Sequence, residues 1–125
     1  MDVGLAYYFL TKTGCPASVR TGIVNENFVY LDLRRRLAHP SEIALETPAF
    51  ATLGSGEIDF FVKSLRSEKT YAVEVKAGKN SGSTATEALE RKKVDCILYT
   101  KGDTSGGIKE NIITIPIFGV AKFDF

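Results

Sequence analysis

Three charged side chains sit within the two most regular stretches of the chain. Asp59 interrupts Gly-Glu-Ile-Asp-Phe-Phe-Val (56–62), and Glu74 and Lys76 interrupt Tyr-Ala-Val-Glu-Val-Lys (71–76). Both stretches alternate in polarity, as half-buried strands do. In the first, Ile58, Phe60 and Val62 face one way while Glu57, Asp59, Phe61 and Lys63 face the other. In the second, Tyr71, Val73, Val75 and Ala77 share one face, and Ala72, Glu74 and Lys76 share the opposite one. A hairpin over one core must point both apolar faces the same way, so opposed residue numbers must sum to an odd number. Pairing Lys63 with Thr70 across the polar turn 64–69 sets Val62 against Tyr71, Phe60 against Val73 and Ile58 against Val75. Asp59 then faces Glu74, with Lys76 two residues further along the same face.

Such an arrangement has a definite chemistry. Opposed carboxylates repel by up to about 1 kcal/mol, and a cation offsets that repulsion. Mg²⁺, or Mn²⁺ in its place, suits the donor set, because Mg²⁺ takes one or two carboxylates and keeps several waters. A peptide carbonyl near Val75 can add a third oxygen. A water activated by the ion is a nucleophile at neutral pH, and the ion stabilises charge on a phosphoryl group. Lys76 would orient that water or neutralise the developing charge. Glu26 is a further candidate ligand. It falls on the stripe of Tyr30, Leu33 and Leu37 in a helical pattern, and a carboxylate on a core-facing stripe is costly unless paired or bound to metal. The structural alternative is an ion cluster on a solvated sheet face, with Glu26 paired to an arginine or reaching water.

The elements needed to position these groups can be read along the chain. Residues 2–10 suit one or two turns of helix packed on the core, and Gly14 and Pro16 mark a break. Residues 19–37 have helical spacing, with Ile23, Asn27, Tyr30 and Leu33 on one stripe and Val24, Phe28 and Leu31 widening it. Arg34, Arg35 and Arg36 crowd its last turn, where cations suit the helix dipole, and His39-Pro40 ends it. A first strand is expected within 42–52, weakened by Pro48. The strands 57–63 and 70–77 follow, then a loop at 78–83, which would lie beside the site. A helix over 84–93 leads to an apolar strand at 95–100, covered on both faces. A loop at 102–111 precedes a final strand at 112–120, interrupted by Pro116. The order of helix, three strands, helix and two strands implies an α/β fold: a central mixed sheet with helical cover.

The ordered set of motifs resembles a known superfamily. Asp59 in Glu-Ile-Asp-Phe and the Glu-x-Lys of Val-Glu-Val-Lys (73–76) resemble the PD-(D/E)XK nucleases, with Ile58 standing where the motif's name has proline. Asp-Val-Gly-Leu-Ala (2–6), Glu-Asn-Phe-Val-Tyr (26–30), Glu-Val-Lys-Ala-Gly (74–78) and Ile-Pro-Ile (115–117) extend the likeness. They are similar to the nuclease-like C-terminal domain that follows the ATPase module of bacterial and archaeal AAA-type ATPases. The resemblance implies a restriction-endonuclease-like core and a Mg²⁺- or Mn²⁺-dependent hydrolysis of phosphodiesters, with DNA the expected substrate. It implies Asp59, Glu74 and Glu26 as metal ligands and Lys76 as the catalytic lysine. The alternative it leaves is an inactive binding or regulatory module docked on an AAA-type ATPase, in cis or in trans. Residues 1–125 read as one domain of a longer ATPase-family chain.

Bulk properties agree with a single soluble domain. The 125 residues are 44% hydrophobic and 25% charged, close to ordinary globular proteins. A formal charge of +1 gives no general pull on nucleic acid, so phosphate contacts would have to come from local patches such as Arg34–Arg36. Cys15 and Cys96 show no metal or redox spacing, which suits a reducing cytoplasm. No apolar run approaches the about 20 residues of a membrane helix, and no phosphate-binding Gly-x-x-x-x-Gly-Lys-Ser/Thr motif occurs. A homodimer joined through the terminal strand 112–120 is a further expectation.

Overall fold

In a computed structural model, which describes residues 2–37, 49–76, 83–102 and 106–125, two helices precede a six-stranded mixed sheet. Helix α1 is Val3–Lys12 and α2 is Ala17–Leu37; the strands are β1 (Ala49–Leu53), β2 (Gly56–Lys63), β3 (Thr70–Lys76), β4 (Cys96–Lys101), β5 (Gly107–Lys109) and β6 (Ile112–Pro116). Helix α3, Ser83–Glu90, joins β3 to β4, and a 3₁₀ helix, Ile117–Lys122, follows β6. The spatial order is β1-β2-β3-β4-β6-β5. Strands β1, β2 and β3 run antiparallel in turn, β3, β4 and β6 are parallel, and β5 returns antiparallel.

Two apolar layers sandwich the sheet. On one face Val29 and Leu33 of α2, Val120 of the 3₁₀ helix and Phe125 pack against Phe60, Val62, Tyr71, Val73, Val75 and Leu98. On the other, Ala85 and Ala88 of α3 pack against Ile58, Ala72, Ile97 and Tyr99. Strand β4 is buried on both sides, as its continuous apolar run implies.

Helix α3 lies so close to the sheet that a Cβ on Gly56 would come within 2.2 Å of the Thr84 hydroxyl and 3.0 Å of its Cβ. Glycine at 56 therefore sets the spacing of that layer.

Helix α2 is rotated relative to the apolar stripe expected from sequence. Ile23 and Phe28 remain exposed, while Val29, Asp32 and Leu33 are buried. The reason is an ion pair in the core-facing position. Arg36 holds Asp32 at 3.0 Å and donates to the carbonyls of Val120 and Phe123, both at 2.7 Å. Arg35 completes Asp32 from the exposed side. Helix α1, nearly three turns long, contributes one buried residue, Ala6, and packs on α2. Its Leu5, Tyr7, Tyr8 and Phe9 stay about half exposed, so it is helical as expected but is not packed on the core.

The remaining differences are local. The expected strand 112–120 stops at Pro116, which caps the 3₁₀ helix instead. The expected loop 102–111 contains β5, and β5 covers the outer side of β6. Strand β6 is thus interior to the sheet, between β4 and β5. Helix α3 is shorter than the expected 84–93, ending at Glu90. The expectations for residues 42–48, His39-Pro40, Ala77 and most of the loop 78–83 lie outside the described residues. Among the described residues, no helix is long and apolar enough to cross a membrane.

Gly56→Ala is expected to lower unfolding free energy by about 1–3 kcal/mol through overpacking against Thr84. Urea midpoints for the single variants and the pair with Thr84→Ala measure it. Additive losses in the double variant would contradict direct contact.

Candidate functional site

The hairpin of β2 and β3 has the register expected from parity: Lys63 pairs with Thr70, Val62 with Tyr71, Phe61 with Ala72 and Phe60 with Val73. On its other side β2 carries an irregularity. Ala49 of β1 pairs with Phe61 but Ala51 pairs with Ile58, so two steps on β1 span three on β2. That count places one extra residue in β2 at Asp59–Phe60, a β-bulge of the kind that re-aims side chains. Its effect is visible in the packing: Ile58 joins the α3 layer and Phe60, two residues on, joins the α2 layer. The expectation that Ile58, Phe60 and Val62 share one face is therefore wrong at Ile58, because the bulge resets the alternation.

At this bulge Asp59 turns its carboxylate onto the backbone of β3. Asp59 Oδ2 accepts the N–H of Val75 at 2.7 Å. The carboxylate thus lies beside Glu74 and reaches one residue past the position directly opposite. Glu74 is nearly fully buried, and its Oε2 meets Lys76 Nζ at 2.5 Å. Its other oxygen, Oε1, is buried and has no hydrogen-bond partner among the described residues. An unpartnered buried oxygen costs about 1–3 kcal/mol, and more when charged. Burial raises the Glu74 pKa above its ordinary value, and the Asp59 charge adds to the rise, while the hydrogen bond and charge of Lys76 pull it down. Lys76 is itself affected by burial, which lowers its pKa. The hydrogen bond to Glu74 and the charges of Glu74, Asp59 and Tyr99 outweigh this, and its pKa ends above the ordinary value.

Glu26 approaches from α2. It is an exposed residue, not the core-facing one expected from its stripe, because the buried face of α2 begins at Val29. Partial desolvation of its carboxyl, helped by the Asp59 charge and opposed by Lys76, still raises its pKa. The structure therefore brings Asp59, Glu74 and Lys76 together, and sets Glu26 at the rim, within electrostatic reach of Asp59 and Lys76.

Two neighbours carry no signal in the sequence. Tyr99 pairs with Glu74, and Lys101 with Lys76, across the parallel β3–β4 ladder. Lys101 Nζ lies 5.7 Å from the centre of the Tyr99 ring. Only the register of a ladder between strands some 25 residues apart reveals them. The cluster sits at the carboxyl ends of the parallel strands β3 and β4, where open α/β sheets bind ligands.

Among the described residues, no three His, Cys, Asp or Glu side chains form a group able to enclose a metal ion. The orphaned Oε1 of Glu74, with the Asp59 carboxylate beside it, fits a cation that takes one or two carboxylates and keeps its waters. Arg35 and Arg36, in the last turn of α2, serve structure instead: both hold Asp32, six residues beyond Glu26 along the helix.

Residues 21–118 match the profile of a family described as "Domain of unknown function (DUF4143)". No curated protein and no solved structure matches the chain.

Glu74 predicts a pH dependence. Its pKa in the folded chain lies above the ordinary 4.5. The folded state thus keeps a proton that the unfolded state has lost. The stability this confers is complete below about 4.5 and disappears as pH rises through the folded value. Lys76, held above 10.5, stabilises up to that pH and loses its contribution only as pH passes its raised value. Glu74→Gln should therefore flatten the fall in unfolding free energy as pH rises above about 4.5. An unchanged slope in denaturation curves would contradict a buried, ionisable Glu74.

Proposed function

The chain belongs to the DUF4143 family, and we propose that this member is a metal-dependent phosphodiesterase domain of the restriction-endonuclease-like kind, acting on nucleic acid, DNA above all. The supporting observation is Glu74: a buried carboxylate with one oxygen held by Lys76 and the other unpartnered among the described residues, next to Asp59. The β2–β3 hairpin followed by the β3-α3-β4 crossover agrees with the core that the sequence resemblance implies.

In this reading Asp59 and Glu74 hold a Mg²⁺ or Mn²⁺ ion, with Glu26 joining from α2. When bound, the ion supplies a Lewis acid for a phosphoryl oxygen and acidity for the attacking water. The chain's own residues do the rest. The Val75 N–H fixes the orientation of Asp59, leaving its second oxygen to the ligand. Lys76, kept protonated by Glu74 and Asp59, offers a positive charge where negative charge gathers on the phosphoryl group. Lys101, beside Lys76 in the ladder, adds a second cation for the flanking phosphate.

A second reading, a catalytically silent module docked on an AAA-type ATPase, is favoured by one feature. Helix α1 leaves Leu5, Tyr8 and Phe9 half exposed, and aromatic anchors of this kind dominate interfaces.

Calorimetric titration of Mn²⁺ tests the first reading without a substrate. At a hundredfold excess over its Kd, Mn²⁺ should raise the unfolding free energy by about 2.7 kcal/mol in the wild type. Asp59→Ala should abolish the gain, and Lys76→Ala should retain binding but lose cleavage of DNA. Metal binding without cleavage of any DNA or RNA form would favour the docking module.

A further inference from the structure

A 260 Å³ pocket opens between α2 and β2, lined by Ile23, Glu26, Asn27, Tyr30 and Phe60. It adjoins the carboxylate cluster through two residues. Glu26 lines the pocket and also senses the charges of Asp59 and Lys76. Phe60 follows Asp59 in the bulge of β2. The rings of Tyr30 and Phe60 lie 6.5 Å apart at a 35° tilt, and form the aromatic wall. Phe60 is buried, so Tyr30 and Ile23, the latter 39% exposed, present the accessible apolar surface. Asn27 brings an amide that both donates and accepts.

These features select the occupant. An anion placed there meets the charges of Glu26 and Asp59. A purely aliphatic group strands the Asn27 amide, and the volume lies below the about 300–1,000 Å³ of sites for larger ligands. A flat, neutral ring with hydrogen-bonding edges satisfies every wall: it stacks on an aromatic face, its edge pairs with an amide as adenine does with asparagine, and it carries no charge. Resting on the phosphodiesterase reading, we infer that this pocket receives one unpaired nucleobase of the strand whose phosphate lies at Asp59 and Glu74. The substrate class is then single-stranded or frayed nucleic acid, since a base within an intact duplex cannot leave its stack without a cost.

The probe is a single-stranded DNA oligonucleotide carrying the fluorescent base 2-aminopurine, compared with the same strand bearing an abasic position and with its blunt duplex. Binding is read without added metal and with Mn²⁺, so that cleavage is scored separately. The wild type should change the emission of the base analogue. It should bind the abasic strand and the duplex about tenfold more weakly than the intact strand. Asn27→Ala, a substitution that favours helix, should weaken binding of the intact strand several-fold and leave the abasic strand unaffected. Tyr30→Leu, checked for folding by circular dichroism, should do the same. Equal affinity for intact and abasic strands, a preference for duplex, or no binding at all would overturn the inference. Base-dependent binding with no cleavage under Mn²⁺ would instead remove the phosphodiesterase reading and leave the pocket assigned. Cleavage indifferent to the abasic position would retain the enzyme and remove the pocket.

Discussion

The extra residue of β2 at Asp59–Phe60 is the constraint on which the rest depends. A regular strand would have kept Ile58 and Phe60 on one face and left Asp59 an ordinary rung of the ladder. The bulge instead sends Ile58 to the α3 layer and Phe60 to the α2 layer, and swings the Asp59 carboxylate onto the Val75 N–H. A buried backbone donor must find an acceptor, and here a side chain supplies it. One local defect thereby stitches the hairpin together, splits the core between two layers and orients a carboxylate toward Glu74.

Around this point the sheet and helices act as a rigid frame. Strand β3 is central, flanked by β2 and β4, so Glu74 can be nearly fully buried and still lie at a strand end where the ladder opens. Helix α2 carries Glu26 to the same place, and its orientation about its own axis is set from its far end by Asp32 and Arg36. Arg36 reaches through to the carbonyls of Val120 and Phe123. The C-terminal segment is held in turn by Ser64, whose hydroxyl donates to the Phe125 carbonyl and accepts from the backbone of Arg66 and Ser67. Tyr71, Phe123 and Phe125 close that end as an edge-to-face trio. Buried polar groups thus fix the structural end, and the opposite end is left to the charged cluster.

Much of this was legible in the residues. Alternation in 57–63 and 70–76 specified two strands and their register, because a slip of one would have exposed the entire apolar set. The Glu-x-Lys spacing placed Glu74 and Lys76 on one face. The continuous apolar run at 96–100 announced a strand covered on both sides. The bulge was not legible, since nothing in Glu-Ile-Asp-Phe-Phe distinguishes a regular strand from one with an extra residue. Nor was the true inner face of α2: an arginine and an aspartate at core positions look like surface residues until their partners on a distant segment are known. That error displaced Glu26 from a buried site to an exposed rim. The three residues of β5 were too few to show alternation, and their pairing with β6 places the terminal strand inside the sheet.

The ammonium of Lys76 is a resident counter-ion. Because it occupies one oxygen of Glu74 and sits close to Asp59, the strand end already carries compensating charge as the chain emerges and collapses. The sheet can close before any metal is encountered, in contrast to small zinc domains that stay unfolded until loaded. On the metal-dependent reading proposed above, scarcity of divalent ions would idle the domain without unfolding it.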